Sequence, residues 1–319
     1  AIPVFAQRRQ HPPGLHILFF AEMWERFSYY GMRSILIFYL TQHFLFSDSF
    51  AGSQYGAYTS LVYLMPLIGG ILADRYLGTK KSVAFGALLL VAGHILMAAE
   101  GEPAVQTMTV AGAEYRFEVE GRAGDRRIYL PVEGMRCELN AKVDSEALCK
   151  ISPNPAGDLV FTGLPAAATL PAVVAKADYT FGVADRNPLF VGIFYLALSL
   201  IIVGVGFLKS NISSMVGQLY PQGDPRRDPG FTLYYYGINL GSFWASALCG
   251  LLGQTVGWWA GFGLAGVGML FGWLVFTRQR LLFWSPGPKQ LPANVGNPPE
   301  PEKLAARVKF GLSREHIIY

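Results

Sequence analysis

Long runs of apolar residues separated by short polar segments dominate the sequence. Each run is close to the length of helix that crosses the hydrocarbon core of a bilayer, which takes about 20 residues. The pattern therefore predicts six membrane-spanning helices. They cover Leu15–Leu40, Tyr55–Ala73, Ser82–Ala99, Leu189–Leu208 with a helical continuation to about Leu219, Phe231–Leu252 and Trp258–Phe276.

The first apolar run differs from the others because it contains four charged residues, Glu22, Glu25, Arg26 and Arg33. At roughly 100° of rotation per residue, these side chains and Tyr29 fall within an arc of about 100° on one helix face. A soluble amphipathic helix is the alternative, but the length of the apolar flanks favours a membrane helix with one charged stripe. Charge at that depth is stable only where it faces protein or water.

Residues 100–187 show a different pattern, in which polar and apolar residues alternate between glycines and prolines. Alternation with a period of two predicts short β-strands. The predicted strands lie around Tyr115–Val119, Ile128–Leu130, Leu139–Val143 and Leu159–Phe161. We therefore expect a small β-rich insert between the third and fourth helices.

Composition and charge support a membrane protein and predict its orientation. Hydrophobic residues make up 52% of the chain and charged residues only 15%, whereas soluble domains carry about 25% charged residues. With six spans, the basic residues beside the apolar runs all fall on one side, which the positive-inside rule assigns to the cytoplasm. These residues are Arg8, Arg9, Arg75, Lys80, Lys81, Arg226, Arg227, Arg278 and Arg280.

We therefore expect a multi-pass protein of the cell inner (cytoplasmic) membrane, with both ends of the chain in the cytoplasm and residues 100–187 outside. The basic residues are topology signals and not a nucleic-acid patch. Cys137 and Cys149 then lie on the oxidising side of the membrane, so we predict a disulfide between them, with two free cysteines as the alternative. None of the cysteines has the spacing of a metal site.

Polar residues in the other apolar runs admit two interpretations. Lys209 closes the fourth run, where an ammonium is costly unless it is paired, but a lysine that snorkels at a helix end fits equally well. Asn239 belongs to a polar stripe on the fifth run that could be simple interhelical hydrogen bonding. His94 on the third run is typical of a core residue. The sequence contains no phosphate-binding glycine loop, HExxH pair or Ser/His/Asp signature on which an enzyme could rest. Buried opposite charges, polar stripes on several helices and Gly-rich packing instead indicate a water-accessible cavity between moving helices, as in a transporter.

Four stretches resemble motifs of the proton-coupled oligopeptide transporters, a branch of the major facilitator superfamily. They lie in the expected order on the first helix, the loop between helices two and three, the fourth helix and the fifth helix. The stretches are Glu22-x-x-Glu25-Arg26-Phe27-x-Tyr29-Tyr30-Gly31, the segment 69–81 with Asp74, Arg75 and Gly78, the segment 206–213 with Lys209, and the segment 234–242 with Tyr234 where Phe is usual. The resemblance covers all of the chain except 100–187 and the C-terminal tail.

This resemblance implies an all-α polytopic fold, in which the chain is the six-helix N-terminal half of a major facilitator fold. The superfamily places its substrate between two such halves, and a second six-helix half is not present in these residues. The expected organisation is helices 1–3 in 1–99, an extracytoplasmic insert in 100–187, helices 4–6 in 188–277 and a cytoplasmic connecting segment in 278–319. We expect that residues 1–319 alone do not transport.

The resemblance also implies roles for individual residues. Glu22, Glu25 and Arg26 would form a proton-coupling cluster, with Lys209 as the salt-bridge partner of one glutamate. Arg33 and Lys209 would attract the terminal carboxylate of a di- or tripeptide. Tyr29, Tyr30, Tyr63 and Asn239 would line the pocket and bind the peptide backbone, while Asp74, Arg75 and Gly78 would have a structural role in their loop.

Two alternatives to proton-coupled peptide symport remain open from the sequence. The same fold could carry another small solute, such as nitrate or a modified amino acid. A membrane-anchored binding protein that uses the outside insert is the other alternative, although buried charge of this kind is not needed in an anchor.

Overall fold

The computed structural model of the chain describes residues 11–141, 145–165, 168–278, 291–298, 307–309 and 312–313. Arg8, Arg9, Arg280 and most of the segment 278–319, which were assigned to the cytoplasm, lie outside the described residues.

Each of the six predicted apolar runs is helical in the structure. The first helix continues into a π-helix at Tyr39–His43, and the second into a π-helix at Ala73–Leu77. The helices are α1 Gly14–Phe38, α2 Asp48–Leu72, α3 Thr79–Met97, α4 Pro188–Gln218, α5 Arg227–Thr255 and α6 Trp258–Thr277.

Four of the helices in the described part of the chain are long and apolar enough to cross a membrane. These are α2 with its π extension, α3, α4 and α6. The helix α1 carries the charged stripe and α5 carries the polar stripe, so both are less apolar. The assignment of six membrane spans therefore stays a prediction.

The chain divides into two compact units. The helical unit comprises Ala1–Ile37, Ser49–Glu100 and Gly192–Tyr319. The second unit comprises Phe38–Asp48 and Gly101–Val191, and it contains nine strands among the residues described there.

Two glycines set close helix contacts within the helical unit. A methyl group built on Gly69 of α2 would collide with the carbonyl oxygen of Gly206 on α4. A methyl group on Gly241 of α5 would collide with the carbonyl oxygen of Met23 on α1. Small residues allow helix backbones to approach this closely in membranes. The second contact holds α5 directly against the helix that carries the charged stripe.

The second unit is built from two sheets. A six-stranded sheet has the order β3-β4-β5-β6-β7-β8, with only the β5–β6 pair parallel, and a three-stranded antiparallel sheet has the order β2-β1-β9. The strands are β1 Val105–Val110, β2 Ala113–Arg116, β3 Glu118–Glu120, β4 Arg127–Val132, β5 Met135–Leu139, β6 Cys149–Pro153, β7 Leu159–Thr162, β8 Val173–Val174 and β9 Tyr179–Ala184. Two further short strands, β10 Arg307–Lys309 and β11 Leu312–Ser313, pair with each other near the end of the chain.

Strands are found at Ile128–Leu130 and Leu159–Phe161, as predicted. The predicted strand Tyr115–Val119 is interrupted at Phe117, so its two ends belong to β2 and β3 of different sheets, and the predicted strand Leu139–Val143 leaves the sheet after its first residue. The strand β5 ends at Leu139 because Asn140 adopts a positive φ of 53°, which turns the chain out of the sheet. Residues 142–144 lie outside the described part. Cys137 and Cys149, the predicted pair, are directly opposite each other in the parallel β5–β6 pair and form a disulfide.

The second unit includes residues 38–48, which follow α1. Hydrogen bonds join these residues to the segment before β1 and to the segment after β9. The amide of Ala104 donates to the carbonyl of His43 at 2.8 Å. Arg186 donates to the carbonyl oxygens of Phe44 and Leu45 at 2.8 and 2.9 Å, and its guanidinium lies 4.6 Å from the ring centroid of Phe46. Both ends of the strand-rich segment are therefore fastened to the same loop.

Candidate functional site

The charged stripe of α1 forms a buried cluster of three side chains. The Nε atom of Arg26 lies 2.8 Å from Glu22 Oε1 and 2.7 Å from Glu25 Oε2. Exposure is 2% for Glu22, 0% for Glu25 and 7% for Arg26. Helical spacing brings Glu22 and Arg26 together, because residues four apart lie on one face. The Glu25 carboxylate reaches the same guanidinium from the neighbouring position. One arginine thus serves two carboxylates.

The carboxylates of this cluster are only partly satisfied. Glu22 Oε2 and Glu25 Oε1 are buried and have no hydrogen-bond partner among the described residues. If both glutamates were ionised, the three side chains would carry one uncompensated negative charge, and burying such a charge is costly. Tyr234 of α5 is buried and lies close to Glu22. A single proton on either carboxylate would make the cluster neutral.

Lys209 of α4 lies near this cluster but does not pair with it. Its Nζ atom is 4.0 Å from the ring centroid of Tyr63, and the side chain is partly buried. Glu22, Glu25 and Arg26 are close enough to interact with it electrostatically. The helix α4 continues past Lys209 to Gln218, as the sequence predicts, so a lysine that snorkels near the membrane boundary and a paired lysine both stay open as interpretations.

The predicted salt bridge between Lys209 and a glutamate of the α1 motif is therefore not formed in this structure. Within the described residues, no carboxylate lies within 4 Å of the Lys209 ammonium. Arg26 occupies both carboxylates instead, and the ammonium rests on the face of Tyr63, where cation–π attraction stabilises it.

Arg33 and a group of tyrosines lie on the same side of α1 as the cluster. Arg33 Nε donates a 2.6 Å hydrogen bond to the hydroxyl of Tyr55 on α2. Tyr29 is 3% exposed and its hydroxyl has no partner among the described residues. It lies close to Arg33, Tyr30 and Tyr63. Arg33, Tyr29, Tyr30 and Tyr63 were all proposed as substrate ligands from the sequence, and the structure brings them together.

Tyr55 and Tyr58 on α2 were not identified from the sequence. Tyr55 accepts the hydrogen bond from Arg33. Tyr58 is 2% exposed and lies close to Glu25 and Tyr29, and its hydroxyl has no hydrogen-bond partner in the part of the chain that the structure describes. Tyr55 and Tyr58 are three residues apart and so share one face of α2. That spacing predicts a shared face, but it does not show which neighbouring helix the face contacts.

Asn239, the predicted ligand on α5, makes a hydrogen bond within its own helix. It is exposed on α5, and its Nδ2 atom donates to the carbonyl of Tyr235 on its own helix at 3.0 Å. His94 is buried on α3 and its Nδ1 atom is 2.7 Å from the Leu90 carbonyl, which agrees with a core residue.

The loop after α2 packs against the segment 291–298. Asp74 and Arg75 are exposed in the π-helix, and Gly78 follows with a positive φ of 75°. A methyl group on Gly78 would come within 2.6 Å of the Gly296 carbonyl oxygen, so the segment 291–298 packs directly on this turn. The contact is fixed by the amide of Lys80, which donates to the same oxygen at 3.0 Å.

Comparison with known proteins places this arrangement in a family. The model of the POT family, PTR2, matches residues 80–294 of the chain. The chain is a member of the POT family. Its relatives include the uncharacterized transporter YclF of Bacillus subtilis, 34% identical over 275 residues, and the di-/tripeptide transporter of Lactococcus lactis, 30% identical over 317 residues. These alignments cover 85% and 96% of this chain.

Solved structures agree with the POT family assignment. A crystal structure of peptide transporter POT in complex with sulfate, solved for a mutant form, is 31% identical, with a TM-score of 0.58 and coverage of 91% of this chain and 40% of that one. The chain spans 38% of YclF and 44% of the Lactococcus lactis transporter. POT family proteins are multi-pass membrane transporters, which agrees with the apolar helices and with the prediction that the chain is not an enzyme.

Proposed function

We propose that this chain supplies the N-terminal half of a proton-coupled symporter of di- and tripeptides that works by alternating access. The proton is the coupling ion, and no other cofactor is required. The single observation that carries the proposal is the buried cluster in which Glu22 and Glu25 share Arg26. The names of the Lactococcus lactis relative and of the solved POT structure support peptides as the substrate class.

Proton coupling follows from the charge balance of the cluster. With both carboxylates ionised, two negative charges face one guanidinium, and Lys209 is attracted to the excess negative charge. A proton that binds to either glutamate removes this excess and weakens the hold on Lys209. The Lys209 ammonium lies against the ring of Tyr63. A movement of α4 relative to α1 would exchange this contact for one with a glutamate of the cluster.

Substrate binding follows from the groups that surround the cluster. Arg33 donates a hydrogen bond to Tyr55 through Nε. Its two terminal nitrogens can then bind a carboxylate in the bidentate manner. Lys209 offers a movable point charge for the same end of a peptide. Tyr29, Tyr30, Tyr63 and Asn239 contact the backbone through hydrogen bonds, while water around the side chains allows many sequences to be accepted.

The remaining elements of the proposal concern placement in the membrane. The six helices cross the inner membrane with both ends of the described chain in the cytoplasm and residues 100–187 outside. A second six-helix half closes the substrate site from the opposite side, as in the fold of the superfamily. The POT relatives, which are more than twice as long as the matched region, are consistent with such a half.

The function is tested by uptake of labelled di-alanine into liposomes. The liposomes contain the protein encoded by the longest reading frame that includes these residues. We expect uptake to require an inward proton gradient and to be inhibited by unlabelled di- and tripeptides. Inhibition by nitrate or by single amino acids, without inhibition by dipeptides, would instead support the other small-solute symporter. Uptake that is indifferent to the proton gradient would contradict the coupling.

A further inference from the structure

Tyr58 of α2 is a buried tyrosine to which the proposed function gives no part. It is 2% exposed, and its hydroxyl has no hydrogen-bond partner among the described residues. Buried polar groups are normally hydrogen-bonded, because burial without a partner is costly. Phenylalanine would fill the same space without this cost, so the hydroxyl indicates a role beyond packing.

The surroundings of Tyr58 follow from the way α2 returns along α1. Arg33 Nε donates a 2.6 Å hydrogen bond to the hydroxyl of Tyr55, which fixes these two residues side by side. Tyr58 lies about one turn further along the same face of α2. It is close to Tyr29 and Glu25, which lie about one and two turns earlier on α1. The two helices are therefore antiparallel here, and Tyr58 lies beside the part of α1 that carries Glu25.

Glu25 is the carboxylate of the α1 cluster that lacks a hydrogen-bond donor. The Nε–H group of Arg26 donates to Glu22 Oε1 at 2.8 Å, whereas its 2.7 Å contact with Glu25 Oε2 is ionic. Both oxygens of Glu25 are buried and have no hydrogen-bond partner in the part of the chain that the structure describes. A phenol can donate one hydrogen bond, and an ionised carboxylate can only accept. A donor without an acceptor and an acceptor without a donor thus lie close together in one buried region.

We propose that Tyr58 is a positioning residue for proton binding, whose hydroxyl donates a hydrogen bond to Glu25 when this carboxylate is ionised. The proposal rests on the proposed function, in which Glu25 belongs to the proton-coupling cluster. The two groups are not bonded to each other in this structure, so the bond belongs to the state in which Glu25 has released its proton. Hydrogen bonds to an ionised acceptor are about twice as strong as those between neutral groups, so Tyr58 stabilises the ionised carboxylate more than the protonated one.

A proton on Glu25 also changes what Tyr58 can bind. Protonation weakens the bond to Glu25 and releases the phenol toward Tyr29, whose own hydroxyl is buried and has no partner among the described residues. The proposed function places Tyr29 in the substrate pocket. Tyr58 therefore links the protonation of Glu25 to a residue that contacts the peptide.

Tyr58→Phe isolates the contribution of the hydroxyl. The other titratable and charged groups close to Glu25 are Glu22 and Arg26 of α1, Lys209 of α4 and Tyr234 of α5. All four are retained in this variant, and phenylalanine keeps the ring that fills the buried space. A merely structural role for this ring predicts no change in the pH dependence of transport.

The proposal is tested by the initial rate of di-alanine uptake as a function of external pH, in liposomes that hold the protein encoded by the longest reading frame. We expect the pH of half-maximal uptake to rise by about one unit in Tyr58→Phe, because a hydrogen bond to a charged group changes the proton affinity about tenfold. Tyr76→Phe is the control, since Tyr76 is 44% exposed at the end of α2, and its profile should match wild type. A wild-type profile for Tyr58→Phe, or equal shifts in both variants, would overturn this proposal and leave the proposed function standing. Wild-type uptake that does not depend on pH would overturn both.

Infrared spectroscopy of the same protein gives a readout that does not require transport. The carboxyl C=O band that disappears in Glu25→Gln reports the protonated form of Glu25. We expect this band to appear at a higher pH in Tyr58→Phe than in wild type, while Tyr76→Phe leaves it unchanged. A band that titrates at the same pH with and without the Tyr58 hydroxyl would contradict the proposal.

Discussion

Arg26 joins the two carboxylates of the α1 cluster. It lies within 2.8 Å of both Glu22 and Glu25, and all three side chains are buried. The sequence predicted that these residues share a helix face, because that follows from helical periodicity alone. The absence of the Lys209 salt bridge could not be predicted, since it depends on where α4 lies relative to α1 and on the competing contact with Tyr63.

Gly241 is expected to be intolerant of a side chain. A methyl group there would collide with the carbonyl oxygen of Met23, so Gly241→Ala pushes α5 away from α1. Overpacking of this kind costs about 1–3 kcal/mol. We expect a lower thermal midpoint in detergent for Gly241→Ala. The matched control is Gly250→Ala on the same helix, where a methyl group meets nothing within 4 Å. Equal midpoints for the two variants would contradict the close approach.

His11 is expected to make the start of α1 sensitive to acid. Its Nδ1 atom lies 2.9 Å from the hydroxyl of Tyr220, and burial, followed by the nearby Arg226, lowers the pKa of His11 below 6.5. A histidine whose pKa is depressed on folding stabilises the protein above the unfolded value of 6.5, and the contribution is lost as the pH falls through the folded pKa.

The measurement for His11 is the thermal midpoint of wild type and of His11→Gln between pH 8 and pH 5. Glutamine keeps a hydrogen-bonding group but does not titrate. We expect wild type to lose more stability than His11→Gln over this range, because only the wild type must accept a proton on unfolding. Curves that stay parallel over the whole range would show that His11 has no such role.

Among the secondary-structure elements, the helices could be predicted from the apolar runs, but the ends of the strands could not. All six helices follow from run length and hydropathy, whereas the end of β5 depends on the conformation of a single residue, Asn140. Tyr55 was missed for a related reason. Its contact with Arg33 joins two helices, and the sequence pattern within one helix does not reveal such a contact.

The disulfide between β5 and β6 is expected to be a major stabilising element of the second unit. It closes a loop with a sequence separation of 12 residues, for which the loss of chain entropy in the unfolded state corresponds to about 3 kcal/mol. We expect Cys137→Ser with Cys149→Ser to make residues 101–191 sensitive to limited proteolysis. Cys249→Ser, which removes a free buried thiol, is the control. Protease resistance equal to that of wild type would contradict this role.

At the scale of the whole molecule, the chain is a POT family polypeptide that matches less than half the length of its relatives. The mostly helical character of the chain was predictable because long apolar runs indicate helices by their length and hydropathy alone. The number of spans and the orientation in the membrane, which were inferred from the basic loops, stay predictions. The organisation of the second unit was predictable only as strand-rich. Its two sheets, and its inclusion of residues 38–48 after α1, depend on contacts that are distant in sequence.

Residues 1–319 alone are expected not to transport. The substrate of a two-half transporter binds between the halves, so one half offers only one wall of the site. The measurement is proton-driven dipeptide uptake by liposomes that hold residues 1–319, beside liposomes that hold the complete reading frame. Uptake by both preparations would show that the described helices form a transport path without a second half.

Proton coupling through the α1 cluster is tested by one comparison of variants. Proton-driven uptake of di-alanine and peptide exchange without a proton gradient are measured for Glu22→Gln, Glu25→Gln and Lys209→Ala in the complete reading frame. Glu118→Gln, an exposed carboxylate of the second unit, is the control. We expect proton-driven uptake to fall to the level of protein-free liposomes while at least one variant retains peptide exchange. Full proton-driven uptake by all three variants would show that the charged stripe is structural and does not couple transport to protons.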